Sequence, residues 1–408
     1  MENKNKISVS GYFIYLIGII LLIISYTLDI DGYRNALSGD FRDTWPYVIE
    51  LNKNFWIDPS EWTLHFPLHY FILSKIYLVS ESKETTRLVF LLISFTTPYL
   101  LYLNLKEKYN YNNNLLFILS SIIFFTPSYI YSAIWANDNN LSYIFMLLGS
   151  YFYLKQVKEI NNSKKLLNIY LTLFFFVLVC YSRQYYSVLY GYFILSFYLK
   201  LSLKDSFYIS IYSLLLSLPG IIFLYSFPMM YEKLAFSGNI FNTLIGNVTS
   251  LSIYVLPIYL INLFFKKSLK FNFKLILLIF PLLLFLITFY FHDAENMGQN
   301  GGIFFILSNK IFNSLILFYI LFLINLICIF LIFEDKKDIF ILFSIIILIS
   351  GIIVLQKYFE PLFYIFFFLF SNSKFKEIFI NNYKACISLI IYNIFYTVVS
   401  VSNIMHLF

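Results

Sequence analysis

The side chains best suited to chemistry lie between Asp29 and Arg87. Four carboxylates, Asp29, Asp31, Asp40 and Asp43, fall in the first fifteen residues of that segment. Arg34 and Arg42, two of the chain's four arginines, stand among them, and Arg87 closes the segment. A carboxylate partly withdrawn from water becomes a stronger base, and a planar guanidinium matches phosphate oxygens bidentately. Together they suit acid–base chemistry at a lipid–water boundary, with the arginines able to hold an anionic ligand. Four later clusters repeat the polar mixture. They are Ile134 to Asn140 around Asp138, Tyr181 to Tyr186 around Arg183 and Gln184, His292 to Gly302 around Asp293, and Gln356 to Pro361 with Lys357, Tyr358 and Glu360.

The elements that must position these groups are membrane helices. Hydrophobic residues make up 60% of the 408 and charged ones 12%, against roughly 45–50% and 25% in soluble domains. Apolar runs approach the roughly 20 residues that a helical span needs, and no alternation at period two suggests a barrel. The expectation is an all-α, polytopic bundle of about thirteen spans forming a single domain over residues 1–408. Spans are placed near 10–28, 87–105, 114–134, 140–155, 166–182, 184–200, 206–227, 247–265, 273–291, 308–333, 338–356, 359–372 and 384–402. The first run is too long for a signal peptide and lacks a small-residue cleavage site, so it reads as an uncleaved span. Pro219-Gly220, Pro257 and Pro281 read as mid-span breakers.

Residues 29–86 form the one long polar loop. Its first helical pattern puts Trp45, Val48, Leu51 and Phe55 on one face. The helix is expected to begin Thr44-Trp45-Pro46, where Asp43 would serve equally as its N-cap. A turn at Ile57-Asp58-Pro59 follows. Leu64, Pro67, Leu68, Phe71, Ile72 and Leu78 form a second apolar face, interrupted by His65, His69 and Lys75. Both patterns suit amphipathic helices lying on the membrane surface.

Charge orients the bundle. With the N-terminus in the cytoplasm, nineteen of the 29 basic residues fall in cytoplasmic segments, and all nineteen are lysine. All four arginines fall outside. A topology signal can use either residue, whereas phosphate recognition favours arginine, so an anionic ligand at the outer surface is expected. The lysines are scattered between spans, which argues against a nucleic-acid partner. Cys180, Cys328 and Cys386 sit singly in apolar runs and make neither disulfide framework nor metal site. His65 and His69 have the i, i+4 spacing of a metal pair, but Pro67 lies between them and no third ligand is near. No cofactor is expected, with a divalent metal as the lesser alternative.

The order of these motifs resembles the GT-C superfamily of integral-membrane glycosyltransferases, nearest in look to the α-1,2-glucosyltransferases that use dolichyl-phosphate-glucose. The matching residues are Asp43, Phe55-Trp56-Ile57-Asp58-Pro59, His65-Phe66-Pro67-Leu68-His69-Tyr70, Asp138, Arg183-Gln184 and Lys357-Tyr358-Phe359-Glu360-Pro361. The chain departs from that pattern where Asp43-Thr44 lacks a second adjacent carboxylate and where the acidic, Gly-rich HDAENMGQNGG replaces a late basic loop. The resemblance implies a polyprenyl-phosphate-linked sugar donor and a glycan, lipid or protein acceptor, with membrane lipids around the site. It selects Asp43 as base over Asp40 and Asp58, and Asp138 as a second carboxylate that orients the acceptor. Arg42, Asp58, His65, Arg87, Arg183, Gln184, Asp293, Lys357 and Tyr358 are the candidate substrate and phosphate contacts. The site would face the non-cytoplasmic side of a bacterial inner membrane, or of the endoplasmic reticulum in a eukaryote. A transporter or flippase for lipid-linked saccharides, or a polysaccharide polymerase, is the competing reading.

Overall fold

The computed structural model describes residues 10–31, 36–54, 66–226, 239–265, 276–293, 304–305, 308–309, 312–349 and 359–402. Among them every regular element is helical. In order, α1 is Gly11–Thr27, α2 Ala36–Lys53, α3 Leu68–Ser80, α4 Lys83–Ser94, α5 Thr96–Lys108, α6 Asn113–Ser120, α7 Pro127–Ile134, α8 Asp138–Lys158, α9 Asn162–Ser182, α10 Ser187–Tyr198 and α11 Leu203–Ser226. There follow α12 Ile240–Phe265, α13 Ile276–Phe291, α14 Ile316–Ile332, α15 Lys336–Leu348, α16 Leu362–Ile365, α17 Lys376–Asn381 and α18 Tyr383–Ser402. Five described helices are long and apolar enough to cross a membrane, or six if one bent pair counts as a single span.

Apolar side chains cover the outer faces of α1, α11 and α13, where in water they would be costly and in lipid they are at home. Inside, buried asparagines tie helices together. Asn104 of α5 donates to Leu147 O of α8 at 2.9 Å, and Asn247 of α12 donates to Ile346 O and Ile349 O at 2.8 and 2.9 Å. In a bundle whose exterior is as apolar as its core, such bonds and close packing supply association that water does not. Close packing is sharpest at Gly18, where an added Cβ would lie 2.6 Å from Phe124 Cβ. Gly18→Val is therefore expected to lower the unfolding midpoint in detergent, at a cost of about 1–3 kcal/mol. An unchanged midpoint would show that α1 can shift without penalty.

Prolines do not break the chain where the sequence suggests. Pro219, Pro257 and Pro281 sit inside continuous helices, as neighbouring helices allow. The break comes at Thr126-Pro127. There Asn113–Phe125 and Pro127–Ile134 meet at 69°, because Pro127 cannot donate to the preceding turn and pushes Thr126 to extended backbone, ψ 125°.

The polar groups gather at two ends. At one, Lys158 pairs with Glu107 at 3.2 Å, Lys374 with Glu334 at 3.2 Å, and Lys108 donates to Leu369 O. At the other lie Asp29, Glu84, Arg87, Asp138 and Arg183.

The first loop carries the two expected helices, with two corrections. Helix α2 starts at Ala36, so Asp43 stands well inside it and is not a cap. Its buried face is Phe41, Val48 and Leu51 with Trp45 partly covered, and Phe55 lies outside the described residues. Helix α3 buries His69, Tyr70, Leu73 and Ser74, while Leu78 is exposed. The inward face is thus rotated from the expected one, and His69 points into the protein.

Candidate functional site

A five-residue turn, Ile134 to Asp138, joins α7 to α8 and is held at almost every residue. Arg87 Nε donates to Ile134 O at 2.9 Å. Trp135 Nε1 donates to Ile30 O at 3.1 Å, and Asn137 N donates to Ser132 O at 2.8 Å. The ring of His69 meets Ala136 O through Nε2 at 2.8 Å. Asp138 pairs with Arg183. Ala136 itself has φ +47°, a left-handed conformation that costs a non-glycine residue about 1–2 kcal/mol. Strain of this kind persists where the surroundings over-determine it, and here they do.

Asn137 is the N-cap of α8, its side chain accepting from Asn139 N at 3.2 Å. That frees Asp138 from capping, contrary to the plainest reading of its position. The Asp138 carboxylate reaches Arg183 at the C-cap of α9, whose backbone is extended there (φ −146°) before the tight turn Gln184–Tyr186. Tyr185 Oη donates to Asn139 Oδ1 at 2.9 Å and locks that turn to α8. Both ion-pair partners are buried, 4% and 3% exposed. A charged pair so placed is sustained by mutual attraction and further hydrogen bonds, and removing one partner strands the other.

His69 is the neighbour that sequence reasoning passed over as a site residue. It is 3% exposed, set edge-on to Phe90 at 5.4 Å. Burial holds its imidazole well below the ordinary range, at about 4, against the opposing influence of Asp138 and the Ala136 carbonyl. The ring is therefore neutral at physiological pH. A carbonyl can only accept, so Nε2 carries the proton and Nδ1 the lone pair. The signal available in the sequence was its i, i+4 register with Leu73 on the helix face that also buries Tyr70 and Ser74.

The other expected residues are placed differently. Arg87 is buried under Trp135, 4.0 Å from its ring centre, and bonds Asp29 at 2.6 Å and Glu84 at 3.0 Å. These partners and Ile134 O engage Nε and both terminal nitrogens in fastening the first loop to α4 and α7. Asp43 faces outward on α2, 69% exposed, with Arg42 at 3.1 Å. Lys83 covers the inner side of the same helix, 4.9 Å from the Phe41 ring. Gln184 is half-buried in the turn after Arg183. Asp293 is fixed by Asn242, which accepts from its N–H at 2.7 Å and donates to its backbone oxygen at 2.9 Å. Asp58, His65, Lys357 and Tyr358 lie outside the described residues. Among those described, no three of His, Cys, Asp and Glu gather closely enough to hold a metal ion.

Glu360 is buried beside the broken span. Its Oε2 accepts from Ser128 N at 2.8 Å, at the start of α7, and Tyr143 Oη donates to its backbone oxygen at 3.0 Å. Tyr143 stands on α8, one turn beyond Asp138.

No family model matches the chain, and neither a curated protein nor a solved structure matches it.

Proposed function

We propose that the chain is a glycosyltransferase of GT-C type that moves a sugar from a polyprenyl-phosphate carrier to a glycan, lipid or protein acceptor. The observation that carries this reading is the buried Asp138–Arg183 pair beneath the two surface helices of the first loop. A guanidinium held in a water-poor site is well placed to receive a phosphate as its charge develops. The lipid tail of such a donor would remain in the bilayer beside α1 and α11. In this reading Arg183 takes the phosphate, Asp138 holds Arg183 and orients the acceptor, and Asp43 on the exposed face of α2 takes the acceptor proton. About thirteen passes, the 29–86 loop on the non-cytoplasmic side and a bacterial inner membrane complete the proposal.

The test is turnover of a polyprenyl-phosphate sugar by purified protein, with the mass of any co-purifying polyprenyl phosphate measured beside it. Topology is checked with a membrane-impermeant thiol reagent. Cysteines placed at Ser60 and Asn300 are expected to label from outside, and one at Ser163 is not. Labelling at Ser163 would invert the orientation and remove the case for a lipid-linked donor.

One observation favours a second reading. A broken span with a buried carboxyl, Glu360, at the break is the kind of site that transporters build from discontinuous helices. A transporter of lipid-linked saccharides would move its substrate across vesicles without changing the substrate's mass, which separates the two readings.

A further inference from the structure

The His69 ring is anchored at one nitrogen and open at the other. Ala136 O holds Nε2, and no described residue donates to the buried Nδ1. A buried acceptor left unmatched costs about 1–3 kcal/mol, and buried polar groups in proteins are otherwise nearly always paired. The ring lies in the electrostatic reach of both Asp138 and Arg183. Its anchor is the carbonyl of strained Ala136, two residues before Asp138. One helix from the first loop thus holds a buried, unmatched lone pair on a ring anchored two residues before Asp138. A guanidinium offers only donors, so a neutral ring acceptor in the same neighbourhood adds the complementary capacity for a ligand that carries hydroxyl groups.

We infer that His69 Nδ1 accepts a hydrogen bond from a hydroxyl of the ligand that occupies the Asp138–Arg183 site, making His69 a saccharide-contacting residue. This rests on the glycosyltransferase reading for the identity of the ligand, but not for the presence of the acceptor. Donor and acceptor sugars both carry hydroxyls. A hydroxyl contact is told apart from a phosphate contact by offering an alkyl glycoside, which has hydroxyls and no phosphate, and a polyprenyl phosphate, which has no sugar.

The substitution that isolates Nδ1 is His69→Gln. Glutamine can still donate from its amide nitrogen to Ala136 O, yet it places no acceptor at Nδ1. The expected result is an unfolding midpoint close to the parent's with a KM for the saccharide substrate raised about tenfold, the equivalent of one buried hydrogen bond. His69→Ala is expected to lose both the contact and the anchor, so its midpoint falls as well. Binding is read without turnover from nitrogen NMR of protein labelled at its four histidines. The unprotonated-nitrogen signal that His69→Gln removes should move when the alkyl glycoside is added and stay when the polyprenyl phosphate is added. No movement with the glycoside, in protein that turns over a polyprenyl-phosphate sugar, overturns the inference and leaves the enzyme reading standing. Movement with the glycoside, in protein that turns over no such donor, overturns the enzyme reading and supports His69. Absence of both overturns both, and parental KM in His69→Gln overturns the inference by itself.

Discussion

Arg183→Lys will leave the protein folded and reduce its use of donor by roughly 10- to 150-fold, the worth of one charge-assisted hydrogen bond of about 1.5–3 kcal/mol. Lysine keeps the positive charge beside Asp138, so the buried carboxylate is not stranded. It cannot reproduce two parallel N–H bonds to a phosphate. Arg183→Met is expected to differ in kind: it leaves Asp138 charged, buried and alone, at about 3–5 kcal/mol of stability. The pair of changes Asp138→Asn with Arg183→Gln separates architecture from chemistry. Replacing both charges by neutral groups of similar shape should recover most of the stability lost in either single variant. Turnover should stay at the floor. Parental donor kinetics in Arg183→Lys, or recovered turnover in the doubly neutral variant, would show that the ion pair is scaffolding. The measurements are thermal unfolding in detergent and a donor titration at saturating acceptor.

Asp43→Asn is expected to lower turnover by roughly the 10²–10⁴-fold that a lost general base costs, with donor binding and unfolding midpoint unchanged. The placement of Asp43 makes this test cleaner than the sequence suggested. Because α2 begins at Ala36, the residue caps nothing, and among the described residues its exposed side chain bonds only the equally exposed Arg42. No buried contact is lost, so a fall in turnover cannot be a folding effect in disguise. Asp40→Asn and Asp58→Asn belong beside it, since the three compete for the role. Near-parental turnover in Asp43→Asn with one of the others inactive would move the base by one carboxylate. Activity in all three would remove the main support for glycosyl transfer.

How much of this was legible depended on whether the determining physics was local. The amphipathic α2 could be read because Trp45, Val48 and Leu51 recur at helical spacing. The helical, apolar character of the chain could be read because composition and run length are local properties. Asp138 and Arg183 each stood out, but their pairing did not, being a contact between the first residue of α8 and the C-cap of α9. His69 was hidden by its own chemistry. A polar residue was counted as an interruption of the apolar face when it is part of the buried one, and the carbonyl that makes burial tolerable lies 67 residues away. The bend at Pro127 was missed while three other prolines were flagged, since continuity at a proline is decided by what surrounds the freed backbone groups.

Glu360 bears on how the protein is made. The residue it bonds, Ser128, precedes it by 232 positions, a distance that a ribosome covers in roughly 10–50 s at about 5–20 residues per second. Throughout that interval α7 sits in the nascent chain with the N–H of Ser128 unanswered by its eventual acceptor. The turn that presents Asp138 hangs from the other end of the same helix. The turn carrying Asp138 is thus completed only after a segment more than 200 residues downstream has been made. A chain cut short before Glu360 would carry Arg87, Asp138 and Arg183 and still lack the group that closes the start of α7. In such a fragment the buried Asp138–Arg183 pair would hang from a helix whose first turn is not yet tied down.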